Sequence, residues 1–181
     1  VQTEALERLI IEHRPELVYL IPTFGNPSGA TLSLERRRRV LELAVKHQVL
    51  VVEDDPYGDL YFGEQPPPSL LALSASVPGS RELLAHCGSL SKVLSPGLRV
   101  GWMIAPPELL ARATMCKQFS DAHTSTFAQA TAAHYLKSGR MPATLDHVRK
   151  VYAERSQAMG DALRRELGAA IDFVQPQGGL F

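Results

Sequence analysis

The sequence predicts an α/β protein with a mostly parallel sheet sandwiched by helices. Apolar runs of strand length alternate with stretches of helical periodicity, the best of those runs is β-branched throughout, and Gly and Pro punctuate the breaks. Leu6, Leu9 and Ile10 recur at helical spacing from about Thr3 to His13, and Pro15 closes that segment. Leu17-Val18-Tyr19-Leu20-Ile21 follows as a short buried strand. A polar break, Phe24-Gly25-Asn26-Pro27-Ser28-Gly29, separates it from the next helix. Ser33 is the expected N-cap there, with Glu35 in the first turn, where the helix dipole favours an acid. Val40, Leu41, Ala44 and Val45 make its apolar stripe, and Arg36 to Arg39 are expected to spread around it as an exposed, partly paired face. Val49-Leu50-Val51-Val52 is a strand expected to be covered on both faces, and it runs into Glu53-Asp54-Asp55-Pro56-Tyr57.

Residues 63–80 hold Pro66, Pro67, Pro68 and Pro78 and read as an irregular surface excursion. A shorter strand near Ala85-His86-Cys87 leads into Gly88-Ser89-Leu90-Ser91-Lys92, its alternation sending His86 and Cys87 to opposite faces. A further strand, Val100 to Ala105, is stopped by Pro106-Pro107, and Pro107 suits the first turn of a helix. Helices are expected at about 107–118, 125–138 and 143–167, the last with Leu145, Val148, Tyr152, Met159, Leu163 and Leu167 along one side. Strands give way to helices after residue 138, so Ser138-Gly139 marks a boundary: residues 1–138 in one domain, residues 139–181 a linker helix and the beginning of a smaller one. The chain starts on Val1 and stops on Gln177-Gly178-Gly179-Leu180-Phe181 as a turn hands over to a strand-like pair, so a fragment is expected.

Composition excludes several classes. With 45% hydrophobic and 21% charged residues the chain is neither a disordered tail nor a fibre. Nineteen Lys and Arg balance nineteen Asp and Glu, so no net field draws it to nucleic acid or anionic lipid. No apolar run approaches the roughly 20 residues of a membrane span. Cys87 and Cys116 lack CxxC spacing and read as reduced thiols of a cytoplasmic protein. The six histidines include no pair at ligand spacing, so no metal is expected.

In sheets of this kind, ligands bind beyond the carboxyl ends of the strands. Those ends carry Asn26, then Asp54 and Tyr57, then Ser89, Ser91 and Lys92, with Arg99 following. Each has a plain explanation alone: a turn, a solvated loop or cap, a solvated lysine. Arg99, beside Leu98 and Val100, is expected to be buried and therefore to need an anion. Together they form a more specific set. A lysine in a dry or cationic pocket becomes an amine able to form an imine with an aldehyde. Ser89, Ser91 and Arg99 suit a phosphate, and Asp54 suits a protonated ring nitrogen. Asn26 and the Tyr57 hydroxyl suit a phenolate oxygen. Aldehyde, phosphate, ring nitrogen and phenolic oxygen on one molecule describe pyridoxal 5′-phosphate.

Four stretches then stand in order: Asn-Pro-Ser-Gly at 26–29, Glu-Asp-Asp-Pro-Tyr at 53–57, Ser-Leu-Ser-Lys at 89–92 and Pro-Gly-Leu-Arg-Val-Gly-Trp at 96–102. In content and spacing the sequence resembles the fold-type I, class I/II pyridoxal-phosphate aminotransferases over most of residues 18–106. The resemblance implies the C-terminal part of that fold's large domain, transfer of an amino group from an amino acid to a 2-oxo acid, and a homodimer. It makes Lys92, Asp54 and Tyr57 catalytic: Lys92 would carry the cofactor as a Schiff base and shuttle the substrate proton, with Asp54 on the pyridinium. Asn26 and Tyr57 would bind the ring oxygen, and Ser89, Ser91 and Arg99 the phosphate. The Glu53–Phe62 wording and Lys117–Gln129 resemble the branch with 2-aminoadipate and kynurenine aminotransferases; read plainly, the second is a helix start capped by Thr124 or Ser125.

Parts of the family's pattern have no match in residues 1–181: an upstream Gly/Ser/Gln phosphate turn, an aromatic that stacks on the cofactor, and a downstream Arg for the substrate α-carboxylate. Arg140, Arg149, Arg155, Arg164 and Arg165 lie on polar helical stretches and read as solvated, so this piece alone is expected to be inactive. The resemblance leaves two alternatives. One is the aminotransferase-like effector domain of a winged-helix transcriptional regulator, with nucleic acid a partner only if a DNA-binding domain precedes Val1; Asn26, Pro56 and Tyr57 favour the enzyme over it. The other is a lyase or decarboxylase sharing the Lys92 chemistry. Ser89 and Lys92 also fit the Ser-x-x-Lys pattern of penicillin-recognising acylases, but its partner Lys-Thr-Gly does not occur.

Overall fold

The computed structural model describes residues 1–181. Its elements run α1 (Thr3–His13), β1 (Leu17–Leu20), α2 (Leu34–His47), β2 (Leu50–Asp54), α3 (Leu70–Leu73), β3 (Leu84–Ser89), β4 (Gly101–Ile104), α4 (Pro107–Ser120), α5 (Thr126–Lys137) and α6 (Met141–Leu167). The strands form one sheet in the order β1-β2-β3-β4, the first three parallel and β4 antiparallel to β3. Chain length explains the change of sense. Parallel pairing needs a crossover, and α2 and α3 lie in the first two connections, whereas a turn and a 3-10 stretch (Pro96–Leu98) are all that separate β3 from β4.

Local chemistry sets the helix ends. Ser33 caps α2 by accepting from the Arg36 amide at 3.4 Å, and Ser125 caps α5 by accepting from the Ala128 amide. Arg14 and Gln48 take left-handed conformations that end α1 and α2. The main core lies between α1, α2, α3 and one face of the sheet, built from Ile10, Leu20, Val40, Leu41, Leu43, Val51, Leu70 and Leu84.

The structure departs from five of the expectations. The β2 segment is not covered on both faces: Val51 is 1% exposed, while its neighbours Leu50 and Val52 are only half-buried. Helices α1–α3 pack on one side, and Leu17 and Tyr19 on the other side stand exposed. Residues 63–80 contain α3, whose Leu70 is fully buried. The Leu70 and Leu71 amides donate to the buried Glu53 carboxylate at 2.7 and 3.1 Å, because an acid inside a core needs donors. Arg37 is not part of an exposed basic face; it is fully buried, at the α2 position facing the core. Arg149 is not solvated either, since its Nε donates to the Asp59 carbonyl at 2.7 Å and its guanidinium lies 3.8 Å over the Tyr61 ring. In α6 the apolar stripe is only half used: Leu145, Val148 and Tyr152 pack, while Met159 is 63% exposed.

A second, smaller cluster sits at the carboxyl edge of the sheet. Phe24, Tyr57, Leu60, Leu90, Val93 and Ala132 form it, and α6 covers it. The terminal segment returns to the same place: Phe62 donates to the Gln177 carbonyl, Gly179 donates to the Leu60 carbonyl, and the Phe181 ring meets Tyr57 edge to face at 5.9 Å. A β-carbon would collide with the Phe24 ring at Gly178 and with Phe24 Cβ at Gly179, where φ is also positive, so both positions require glycine.

Candidate active site

Three parallel strands end on one edge, and the loops leaving them are each shaped by identifiable bonds. After β1, the Phe24 amide donates to Thr31 Oγ1 at 3.1 Å and Leu32 donates to the Pro22 carbonyl at 2.8 Å, closing a loop with Asn26 exposed at its tip. Arg37 holds the base of that loop. Its nitrogens donate to the carbonyls of Leu32 (2.9 Å) and Pro22 (3.0 Å), to Thr23 Oγ1 (2.8 Å) and to the Pro68 carbonyl (3.4 Å).

After β2, the Asp55 amide continues the ladder to the Cys87 carbonyl at 2.9 Å. The Asp55 side chain accepts from the Gly58 amide at 3.0 Å, an Asx turn that swings Tyr57 into the small cluster. Burial, and then the charge of Glu53, push the Asp55 carboxyl above its ordinary value. Asp54 itself is half-buried, and its Oδ2 accepts from the Tyr19 hydroxyl at 2.5 Å. Behind it, His86 Nδ1 lies 2.8 Å from Glu53 Oε2, a bond that raises the imidazole's proton affinity against the opposing effect of burial.

After β3, the chain turns: Leu94 and Ser95 both donate to the Leu90 carbonyl. Leu90 and Val93 are buried in the small cluster and bracket Ser91 and the half-buried Lys92. The Ser91 amide donates to Ser89 Oγ at 3.0 Å, and Arg99 Nη1 reaches Ser91 Oγ at 3.4 Å. Arg99 was expected to be buried and is exposed. It ends the 3-10 stretch in a left-handed conformation (φ 54°), which turns its side chain back over the Ser91 turn instead of into the sheet.

The structure thus joins Ser89, Ser91 and Arg99 directly by hydrogen bonds. Asp54 stands one strand away, its register partner Cys87 two residues before Ser89. Tyr57 and Asn26 reach the same edge through the small cluster, Tyr57 as a member and Asn26 two residues beyond Phe24. Sequence reasoning missed Tyr19 and the Glu53–His86 pair behind Asp54. The signal for Tyr19 was available. It pairs with Val52 in register, and strand alternation puts Asp54 on the same face two residues on. On the other side of β3, the Trp102 indole lies over Gly88, where a β-carbon would meet the ring.

A mixed sheet with helices, loaded in this way along one edge, is the architecture of fold-type I aminotransferases. The chain belongs to the family Aminotransferase class I and II, whose profile matches residues 1–181. It is 43% identical over 180 residues to the 2-aminoadipate transaminase of Thermus thermophilus, covering 98% of this chain and 44% of that protein. It is 36% identical over 166 residues to YisV, an uncharacterized HTH-type transcriptional regulator of Bacillus subtilis, covering 92% of this chain and 33% of the regulator. Among solved structures it superposes on kynurenine aminotransferase from Pyrococcus horikoshii, in complex with PMP, with a TM-score of 0.91 and 34% identity. That match covers 99% of this chain and 44% of the other. The chain therefore spans less than half the length of the relatives it matches.

Proposed function

We propose that the protein transfers an amino group from an amino acid to a 2-oxo acid, with pyridoxal 5′-phosphate as its cofactor. The observation that carries this is the bonded set Ser89–Ser91–Arg99 beside Lys92, with Asp54 at the end of the adjoining strand. The residues fit the cofactor. Two hydroxyls and an exposed guanidinium linked by hydrogen bonds are donors of the kind a phosphate takes, and Asp54 keeps its Oδ1 without a partner in the chain. Relatives with aminotransferase names and a solved relative containing PMP support the same reading.

When bound, the cofactor supplies an electron-withdrawing ring that makes the substrate's α-proton acidic. The chain supplies the rest. Ser89, Ser91 and Arg99 hold the phosphate, Asp54 accepts from the ring nitrogen, and Asn26 and Tyr57 hydrogen-bond the ring oxygen. Lys92 would hold the cofactor's aldehyde through its amine, and its Nζ would take and return the substrate's α-proton. Leu90 and Val93, buried in the small cluster with Tyr57, anchor the turn that carries Lys92.

The same reading makes residues 1–138 part of the large cofactor-binding domain and residues 139–181 a linker helix and the beginning of a smaller domain. It makes the working enzyme a cytoplasmic homodimer of biosynthetic metabolism. No helix is long and apolar enough to cross a membrane. The regulator's likeness covers the same segment, so the enzyme reading rests on the site residues and not on the fold.

The test uses the full-length protein. A visible absorption band that appears with cofactor and bleaches on adding 2-aminoadipate or an aromatic amino acid supports transamination; absence of the band removes it. Lys92→Ala is expected to abolish the band and to slow amino transfer at least ~100-fold while circular dichroism stays unchanged.

A further inference from the structure

The geometry points to Tyr19 as the positioning residue of Asp54, the side chain that fixes which carboxylate oxygen is presented to the cofactor ring. The inference rests on the function proposed above, in which Asp54 meets a protonated ring nitrogen. Tyr19 lies on β1 and Asp54 at the end of β2; they share one face, offset by two positions in the parallel register. That diagonal spacing suits a long aromatic side chain. The Tyr19 hydroxyl donates to Asp54 Oδ2 at 2.5 Å. Oδ1 has no partner within the chain and is not sealed off from solvent.

An aspartate carboxylate has a broad, roughly two-fold torsional preference about its last bond. A donor fixed on one oxygen removes that freedom and leaves the lone pairs of the other aimed in a single direction. Tyr19 is suited to the task because it stays a donor: its ionisation is pushed up to about 12, first by the bond to Asp54 and then by burial. On the opposite flank, burial and the Asp54 charge push the Cys87 thiol up. Asp54 thus lies between two groups held in their neutral forms, with Oδ1 free for a cationic N–H.

Tyr19 is 55% exposed, so this hydroxyl is not needed to fill the core. The experiment is a double-mutant cycle in the full-length protein, reading the dissociation constant of pyridoxal 5′-phosphate and the visible circular dichroism of the bound form. Tyr19→Phe is expected to raise the dissociation constant about tenfold, the size of one hydrogen bond to a charged group, and to alter the visible signal. The same substitution in an Asp54→Asn background is expected to change it less than about twofold. Equal losses in both backgrounds, or a Tyr19→Phe protein that binds and absorbs as the wild type does, overturn the role of Tyr19 and leave the enzyme reading standing. Wild-type protein that fails to bind the cofactor overturns both.

Discussion

Arg37 is the residue on which the site loops depend most. One guanidinium satisfies three backbone carbonyls and a threonine hydroxyl drawn from two loops, and it does so with no carboxylate in direct contact. Burial lowers its proton affinity, and the charges of Glu53 and Asp55 partly restore it. Arg37→Leu fills the space but leaves the Leu32 and Pro68 carbonyls without a donor, each at a cost of about 1–3 kcal/mol when buried. Urea unfolding is expected to show a loss of about 3 kcal/mol for Arg37→Leu, against less than about 0.5 kcal/mol for the exposed Arg36→Ala. The sequence carried a signal for this. Arg37 stands three, four and seven residues before Val40, Leu41 and Ala44, which is the buried stripe. Reading Arg36 to Arg39 as a run concealed it, because charge alone does not say which member faces the core. Arg99 misled in the opposite sense: apolar neighbours suggested burial, and a left-handed backbone turned it outward.

At the scale of elements, Glu7 ties α1 to α2. Its carboxylate accepts from Lys46 Nζ at 2.6 Å and Arg39 Nη2 at 2.8 Å and lies 3.3 Å from His47 Nε2. The hydrogen bond from Lys46, then that from His47, lowers its ionisation from an ordinary 4.5 to about 2. A depressed carboxyl stabilises the fold above its unfolded value, and that contribution disappears as pH falls through the folded value. Stability of the wild type should therefore decline between pH 4.5 and about 2 more steeply than that of Glu7→Gln, as read by urea midpoints across that range. Element existence was legible wherever apolar spacing was regular: α1, α2, β1 and β2 lie within a few residues of expectation. Helix α3 was not, because three prolines ahead of it suggested irregular chain, and what fixes it is the remote Glu53 carboxylate. The strand-end motifs were legible because each interrupts an apolar run with groups that a core rejects. Tyr19 was not, because a tyrosine inside a strand reads as packing until its neighbour in the sheet is known.

On the scale of the whole molecule, one face of the sheet and the helices after it are unevenly covered. Phe119 on α4 and Phe127 on α5 are 87% and 80% exposed, with Trp102 and Met103 of β4 also uncovered. Large apolar surface of this kind marks contact sites. Residues 1–181 expressed alone are expected to bind a hydrophobic dye and to elute above monomer mass in light-scattering chromatography, whereas the full-length protein is expected to show little dye binding. The sequence could not show this, because periodicity tells which side chains seek cover and not whether cover exists within the chain. Trp102 is the only tryptophan among the 181 residues, and its indole lies against Gly88, one position ahead of Ser89. The chain thus carries its own fluorophore at the edge where the strands deliver their polar cargo, and its emission can report what arrives there without any attached label.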